Sequence, residues 1–124
     1  GVLAIAAALL GAARAVGIDE DRDALASAAA NVALNGLPAG RVEMQHGNLL
    51  AQALPVADVV LGNLTGALLR RAAATLIAAV APTGCLIVSG FTDDERLAVE
   101  HAFAPLAVAS AESERGWLAL TFRR

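Results

Sequence analysis

The stretch Ala57-Asp58-Val59-Val60-Leu61-Gly62-Asn63-Leu64-Thr65 decides how this chain is read. Residues 57–61 have the composition of a short buried strand, apolar on both faces, of the kind found inside a parallel sheet. Gly62-Asn63 interrupts that run, and Thr65 is placed to cap a helix. In the helix, Leu69, Ala72, Leu76 and Val80 recur at spacings of three and four and form an inner stripe, with Arg70 and Arg71 on the outer side. A strand that passes through a short polar link into an amphipathic helix is half of a strand–helix–strand unit, and parallel strands need such crossovers.

The same grammar repeats in both directions. Toward the C-terminus, Pro82-Thr83-Gly84 reads as a turn before a fully buried strand, Cys85 to Val88. Thr92 and Glu95 have capping-box spacing ahead of a helix carrying Leu97, Ala102 and Phe103. Two strand-like stretches, about 106–112 and 117–122, flank the polar corner Ser113-Glu114-Arg115-Gly116 and suggest an antiparallel edge. Toward the N-terminus, residues 2–12 predict a helix rich in Ala and Leu, and Ala15 to Ile18 a short buried strand ending at Asp19. Asp21 is placed to cap a helix with Leu25, Ala28, Ala29 and Val32 on one face. Asn35-Gly36 is the sequence of a left-handed helix stop. Val42, Met44 and His46 alternate with Arg41, Glu43 and Gln45 as a strand near a sheet edge. The fold class is α/β: a mostly parallel sheet with helices on both faces and an antiparallel last strand.

Composition narrows the function classes. The 124 residues are 57% hydrophobic and 17% charged, and 31 of them are Ala, which suits helices packed closely on a sheet and argues against disorder. All nine basic residues are Arg and the net charge is −3, with no basic run beyond a pair, so a direct nucleic-acid interface is not expected. Cys85 is the single cysteine, so no internal disulfide and no thiolate metal cluster are expected; its apolar neighbours make it a small core residue. Residues 72–92 carry no charge over a length that could span a bilayer, but Pro82-Thr83-Gly84 breaks the stretch in the middle. Residues 2–13 resemble the apolar part of a signal peptide but lack an initiator Met and a basic flank. Neither membrane reading is adopted, and the start at Gly1 reads as a cut within a longer protein.

In doubly wound sheets, ligands sit beyond the carboxyl ends of the strands. Asp19, His46-Gly47-Asn48 and Gly62-Asn63-Leu64-Thr65 fall at such ends. A carboxylate there can accept hydrogen bonds from a ribose diol. Asp19 and Asn63 could equally serve as helix-cap residues, and His46 and His101 read as strand-end and helix-surface residues.

Together these segments carry a resemblance. Gly1 to Ala8, Leu10-Gly11-Ala12 and Val16-Gly17-Ile18-Asp19-Glu20-Asp21 resemble class I S-adenosylmethionine methyltransferases. Ala30-Asn31, Asn35-Gly36, the segment Asp58 to Thr65, Pro82-Thr83-Gly84, Ser89-Gly90 and a last strand bearing Trp117 narrow the resemblance to the ribosomal protein L-eleven methyltransferase (PrmA) family. The resemblance implies a Rossmann-like catalytic domain over residues 1–124, its first strand and most of its glycine-rich loop lying before Gly1, so that these residues alone would be inactive. It implies S-adenosylmethionine as cofactor, a large-subunit ribosomal protein as substrate, transfer to protein amino groups, and a cytoplasmic setting. Gly1 matches the last glycine of the loop beside the methionine part of the cofactor, and Asp19 the acid that holds the ribose. Asn63 matches the asparagine beside the methyl group, where its carbonyl orients an amine and makes it the catalytic candidate. Asn48 stands where related enzymes have Asp next to adenine, and Glu20 where an apolar residue usually lies against that ring. No metal is implied. Other readings stay open: another class I methyltransferase with a different substrate, a nicotinamide-dependent dehydrogenase, or a non-catalytic remnant.

Overall fold

The computed structural model describes residues 1–124. It consists of two compact units, Gly1–Gln52 and Ala53–Arg124, each built on its own sheet.

The first unit contains α1 (Val2–Leu9), β1 (Ala15–Asp19), α2 (Arg22–Leu34) and β2 (Val42–His46). β1 and β2 run parallel, in register from Ala15 opposite Val42 to Asp19 opposite His46, so both strands finish at the same end of the sheet. Asp21 caps α2 by accepting from the Asp23 amide at 2.9 Å. The helix stops at Asn35, followed by Gly36 at φ +62°. Three expectations need correction. α1 ends at Leu9 rather than at residue 12, because the chain turns at Leu10-Gly11. Only Ala28 of the α2 stripe is fully buried; Ala29 is exposed, since burial follows Leu25, Ala28 and Val32 at strict three- and four-residue spacing. β1 is half-buried rather than buried, because β2 is the only strand paired with it. Beside this sheet Glu43 accepts from Gln45 at 2.7 Å and from Arg14 at 2.5 Å. The Gln45 amide first, and then the Arg14 guanidinium, hold the Glu43 carboxyl below its ordinary value.

The second unit contains β3 (Ala57–Asn63), α3 (Gly66–Ala78), β4 (Val80–Thr92), a 3-10 turn (Asp93–Glu95), α4 (Arg96–Ala102), β5 (Ala107–Glu114) and β6 (Trp117–Arg123). Its sheet order is β3-β4-β6-β5. β3 and β4 are parallel, and β6 lies antiparallel between β4 and β5, which is the antiparallel last strand expected from sequence. Arg115 and Gly116 join β5 to β6 with φ of +52° and +83°, the geometry of a tight two-residue hairpin turn. Val60, Leu86, Val88, Leu120 and Phe122 lie buried on one face, where the Phe122 ring stands 5.2 Å from that of Phe103.

Here too the structure revises details. Val80 is buried but opens β4; α3 ends at Ala78, and its inner stripe is Leu69, Ala72, Ala73 and Leu76. Val59 is 52% exposed, so β3 is apolar on both faces but buried on one. Leu97 is 79% exposed while Val99, Phe103 and Leu106 carry the burial: Val99 and Phe103 are four residues apart and share a face, and Leu97, two residues before Val99, lies off it. Cys85 is free and half-buried, on the opposite face of β4 from the core. No helix is long and apolar enough to cross a membrane.

Candidate functional site: two strand-end clusters

In the first unit the strand ends bring Asp19 and Asn48 to the same edge. The Gly47 amide donates to the Asp19 carbonyl at 3.0 Å, which carries the chain out of β2 beside the end of β1. Asp19 Oδ1 accepts from the Asp21 amide at 3.0 Å, a side-chain turn that aims the chain into α2. The cap of α2 is Asp21, so Asp19 is free of the helix-cap role left open by sequence. Its Oδ2 has no donor from the chain and remains an acceptor at the half-exposed strand end. His46 Nε2 lies 3.1 Å from the Glu20 carbonyl and steadies the same link. Asn48 Oδ1 accepts from the Leu50 amide at 2.8 Å, which takes one of its two lone pairs and leaves the amide N–H group without a partner in the chain. Glu20 is exposed. At Gly1, a Cβ would stand 2.6 Å from that of Ala28, so glycine here lets α1 begin directly against α2.

In the second unit the register assembles a row across all four strands. Asn63 lies opposite Ser89, Ser89 opposite Ala119, and Ala119 opposite Glu112. Register partners share a face, so this row lies on the face opposite the buried Val88 and Leu120. An open cleft of about 910 Å³ covers it, lined by Asn63, Ser89, Gly90, Glu112, Glu114 and Trp117 among others. Trp117 is 59% exposed and pairs with Glu114 across the hairpin. Thr65, not Asn63, caps α3, accepting from the Leu68 amide at 3.4 Å, which leaves Asn63 available. The cleft thus offers an amide, a hydroxyl, two carboxylates and an indole, a set suited to a cationic or amine group beside an alkyl chain.

Sequence reading places Asp19, Asn48 and Gly1 in the first cluster and Asn63 in the second. It misses Ser89, Glu112 and Glu114 as cleft residues. The alternation Glu112-Ser113-Glu114 already puts both carboxylates on one face of a strand, and the turn at Arg115-Gly116 sets Trp117 opposite Glu114. No group of His, Cys, Asp and Glu forms a metal-binding cluster.

Comparison with known proteins fits this architecture. The family description "Ribosomal protein L11 methyltransferase (PrmA)" matches residues 1–124. The chain is 41% identical over 125 residues to the ribosomal protein L11 methyltransferase of Pelotomaculum thermopropionicum, covering 99% of this chain and 40% of that protein. It is 40% identical over 125 residues to the enzyme of the same name from Geobacter sp. strain M21, again covering 40% of the relative. The chain therefore spans about 40% of the length of these curated relatives. Among solved structures, the ribosomal protein L11 methylase of Lactobacillus delbrueckii subsp. bulgaricus superposes with a TM-score of 0.92 at 27% identity, covering all of this chain and 65% of the other. An RNA methyltransferase from Salinibacter ruber, in complex with S-adenosyl-L-homocysteine, shares the fold with a TM-score of 0.76 at 23% identity, over 98% of this chain and 72% of that one. The Rossmann-like fold of class I methyltransferases is thus confirmed, and by the family match over its whole length this chain belongs to the ribosomal protein L11 methyltransferase (PrmA) family.

Proposed function

We propose that the full-length protein transfers methyl groups from S-adenosylmethionine to amino groups of ribosomal protein L11 in the cytoplasm. The observation that carries this reading is the cleft at the end of β3 and β4, with the Asn63 amide at one side and Glu112, Glu114 and Trp117 at the other. The names of the relatives give the substrate, and the cleft chemistry agrees with an amine.

S-adenosylmethionine, when bound, supplies a methyl group activated on a sulfonium, and such a transfer depends chiefly on positioning. Asp19 fits this ligand, because its Oδ2 is the unpaired acceptor that a ribose diol asks for. Asn48 fits less fully, since the Leu50 amide already takes one of the two lone pairs of its Oδ1. Gly1 would lie beside the methionine part. Asn63 would accept a hydrogen bond from the incoming amine through Oδ1 and so aim its lone pair.

The amine must lose a proton first, which costs less for an α-amino group of pKa about 7.7–8.0 than for a lysine of about 10.4. Carboxylates next to an amine hold its proton on, and the row separates them from Asn63. Glu112 stands three strand spacings from Asn63, or about 14 Å. That exceeds the Debye length of about 8 Å at physiological salt, so the carboxylates attract an ammonium to the rim without opposing deprotonation beside Asn63.

The test is methyl transfer by the full-length protein from labelled S-adenosylmethionine to purified ribosomal protein L11. Label on L11 amines, lost in Asn63→Ala, is the expected result. An active cofactor-binding protein that leaves L11 unlabelled would refute the substrate assignment.

A further inference from the structure

We infer that Gly90 and Glu95 are positioning residues that set the Asn63 side chain; the inference rests on Asn63 being the residue that aims the amine. The segment Asn63–Gly66 lies along residues 89–95, which touch it at three successive points. Ser89 O accepts from the Leu64 amide at 2.9 Å. Beside it, Gly90 has φ +95°, and a Cβ there would stand 2.6 Å from Asn63 Oδ1, 2.7 Å from Leu64 O and 3.0 Å from Leu64 N. At the far end, a Cβ on Gly66 would overlap Glu95 Oε1 and lie 2.8 Å from Glu95 Cδ. Glu95 Oε2 in turn accepts from the Thr92 amide at 3.2 Å, so the carboxylate is held between Thr92 and the first residue of α3.

Gly90 is also the extra residue of a bulge. Ser89 pairs with Ala119 and Phe91 with Leu118, which leaves Gly90 unmatched on β6. A bulge bends its strand and re-aims the residues around it. Here it brings bare backbone against the Asn63 carbonyl, so the orientation of that oxygen depends on the missing Cβ. All three contacts of that Cβ are to backbone or to the short Asn63 side chain, neither of which can swing away as a flexible chain end would. Glu95 fixes the other end, because the first turn of α3 cannot move toward the 3-10 turn without meeting its carboxylate. Neither residue reaches the reacting atoms; both act through the Asn63–Gly66 segment.

The test uses the full-length protein with Gly90→Ala, Glu95→Ala, Glu95→Gln, Asn63→Ala and the Asn63→Ala/Gly90→Ala pair, measuring kcat, KM for ribosomal protein L11 and the Kd of S-adenosyl-L-homocysteine. Gly90→Ala should lower kcat on the order of 10- to 100-fold, as a misplacement near 1 Å does, with Kd changed less than about twofold. In the Asn63→Ala background it should lower kcat no further, because the group through which it acts is gone. Glu95→Gln keeps the size and the acceptor for Thr92 and should retain most of the kcat lost in Glu95→Ala. Full kcat in Gly90→Ala, multiplying losses in the double variant, or equal losses in the two Glu95 variants would overturn the inference. If Gly90→Ala does not fold, the Glu95 pair decides alone by the same criterion. Full turnover by Asn63→Ala refutes the reading of the cleft, and the inference with it; loss there with full kcat in Gly90→Ala refutes the inference only.

Discussion

Asp19→Asn separates the two jobs that the structure gives one carboxylate. Oδ1 accepts from the Asp21 amide at 3.0 Å and shapes the link from β1 to α2, whereas Oδ2 points to no donor in the chain. Asn retains an oxygen for the Asp21 amide and replaces the other oxygen with an N–H donor. Asp19→Ala removes both. If Oδ2 receives a ribose hydroxyl, an unpaired partner costs about 1–3 kcal/mol of binding, or roughly 5- to 150-fold in Kd. Asn should fall at the lower end, since a hydroxyl can still accept from its amide, and Ala at the upper end. The apo protein distinguishes the two variants in another way: Ala loses the turn hydrogen bond, about 1 kcal/mol of stability, while Asn leaves the unfolding midpoint unchanged. Calorimetric titration of the full-length protein with S-adenosyl-L-homocysteine, beside urea unfolding of the ligand-free forms, measures both. Affinity within about twofold of the parent in both variants would show that Oδ2 holds no ligand hydroxyl.

Three other outcomes follow from packing and charge. Phe122→Ala empties a fully buried position whose ring lies 5.2 Å from that of Phe103, and should cost about 3–5 kcal/mol in urea unfolding of the full-length protein. Leu97→Ser, at a site 79% exposed, should change stability by no more than about 0.5 kcal/mol; a larger loss would place Leu97 in a core after all. Arg14→Ala should return the Glu43 carboxyl part of the way toward its ordinary value, with the Gln45 hydrogen bond still holding it down, as followed by carboxyl NMR. Because folding lowers this pKa, its stabilising effect is present above the ordinary carboxylate range and is lost as pH falls through the folded value; Arg14→Ala should narrow that acid loss.

What the sequence encoded locally is what proved legible. Asp21, Thr65 and the Thr92–Glu95 pair all cap where their side-chain chemistry predicts, since a cap needs only neighbours two or three residues away. Phase was harder to read. Leu97 is an apolar residue of the helix, but Val99 and Phe103, four residues apart, form its inner face, and Leu97, two residues before Val99, lies off it. Val80 satisfies the stripe of α3 and is buried, yet it belongs to β4: apolar spacing reports burial without saying which element supplies it. Strand neighbours were legible only as a class. Alternation predicts parallel strands, but nothing local states that β6 inserts between β4 and β5, and that insertion carries Glu112, Glu114 and Trp117 to the cleft of Asn63. Gly90 marks the limit of this kind of reading. In the sequence it is a glycine after a strand, one of 11. Its role exists only once β3 lies beside β4 and Asn63 Oδ1 comes to rest where a side chain would otherwise stand. A site built from strand ends is specified by pairing, so its candidates can be recognised one at a time in sequence, while the contacts that aim them arise only with the register.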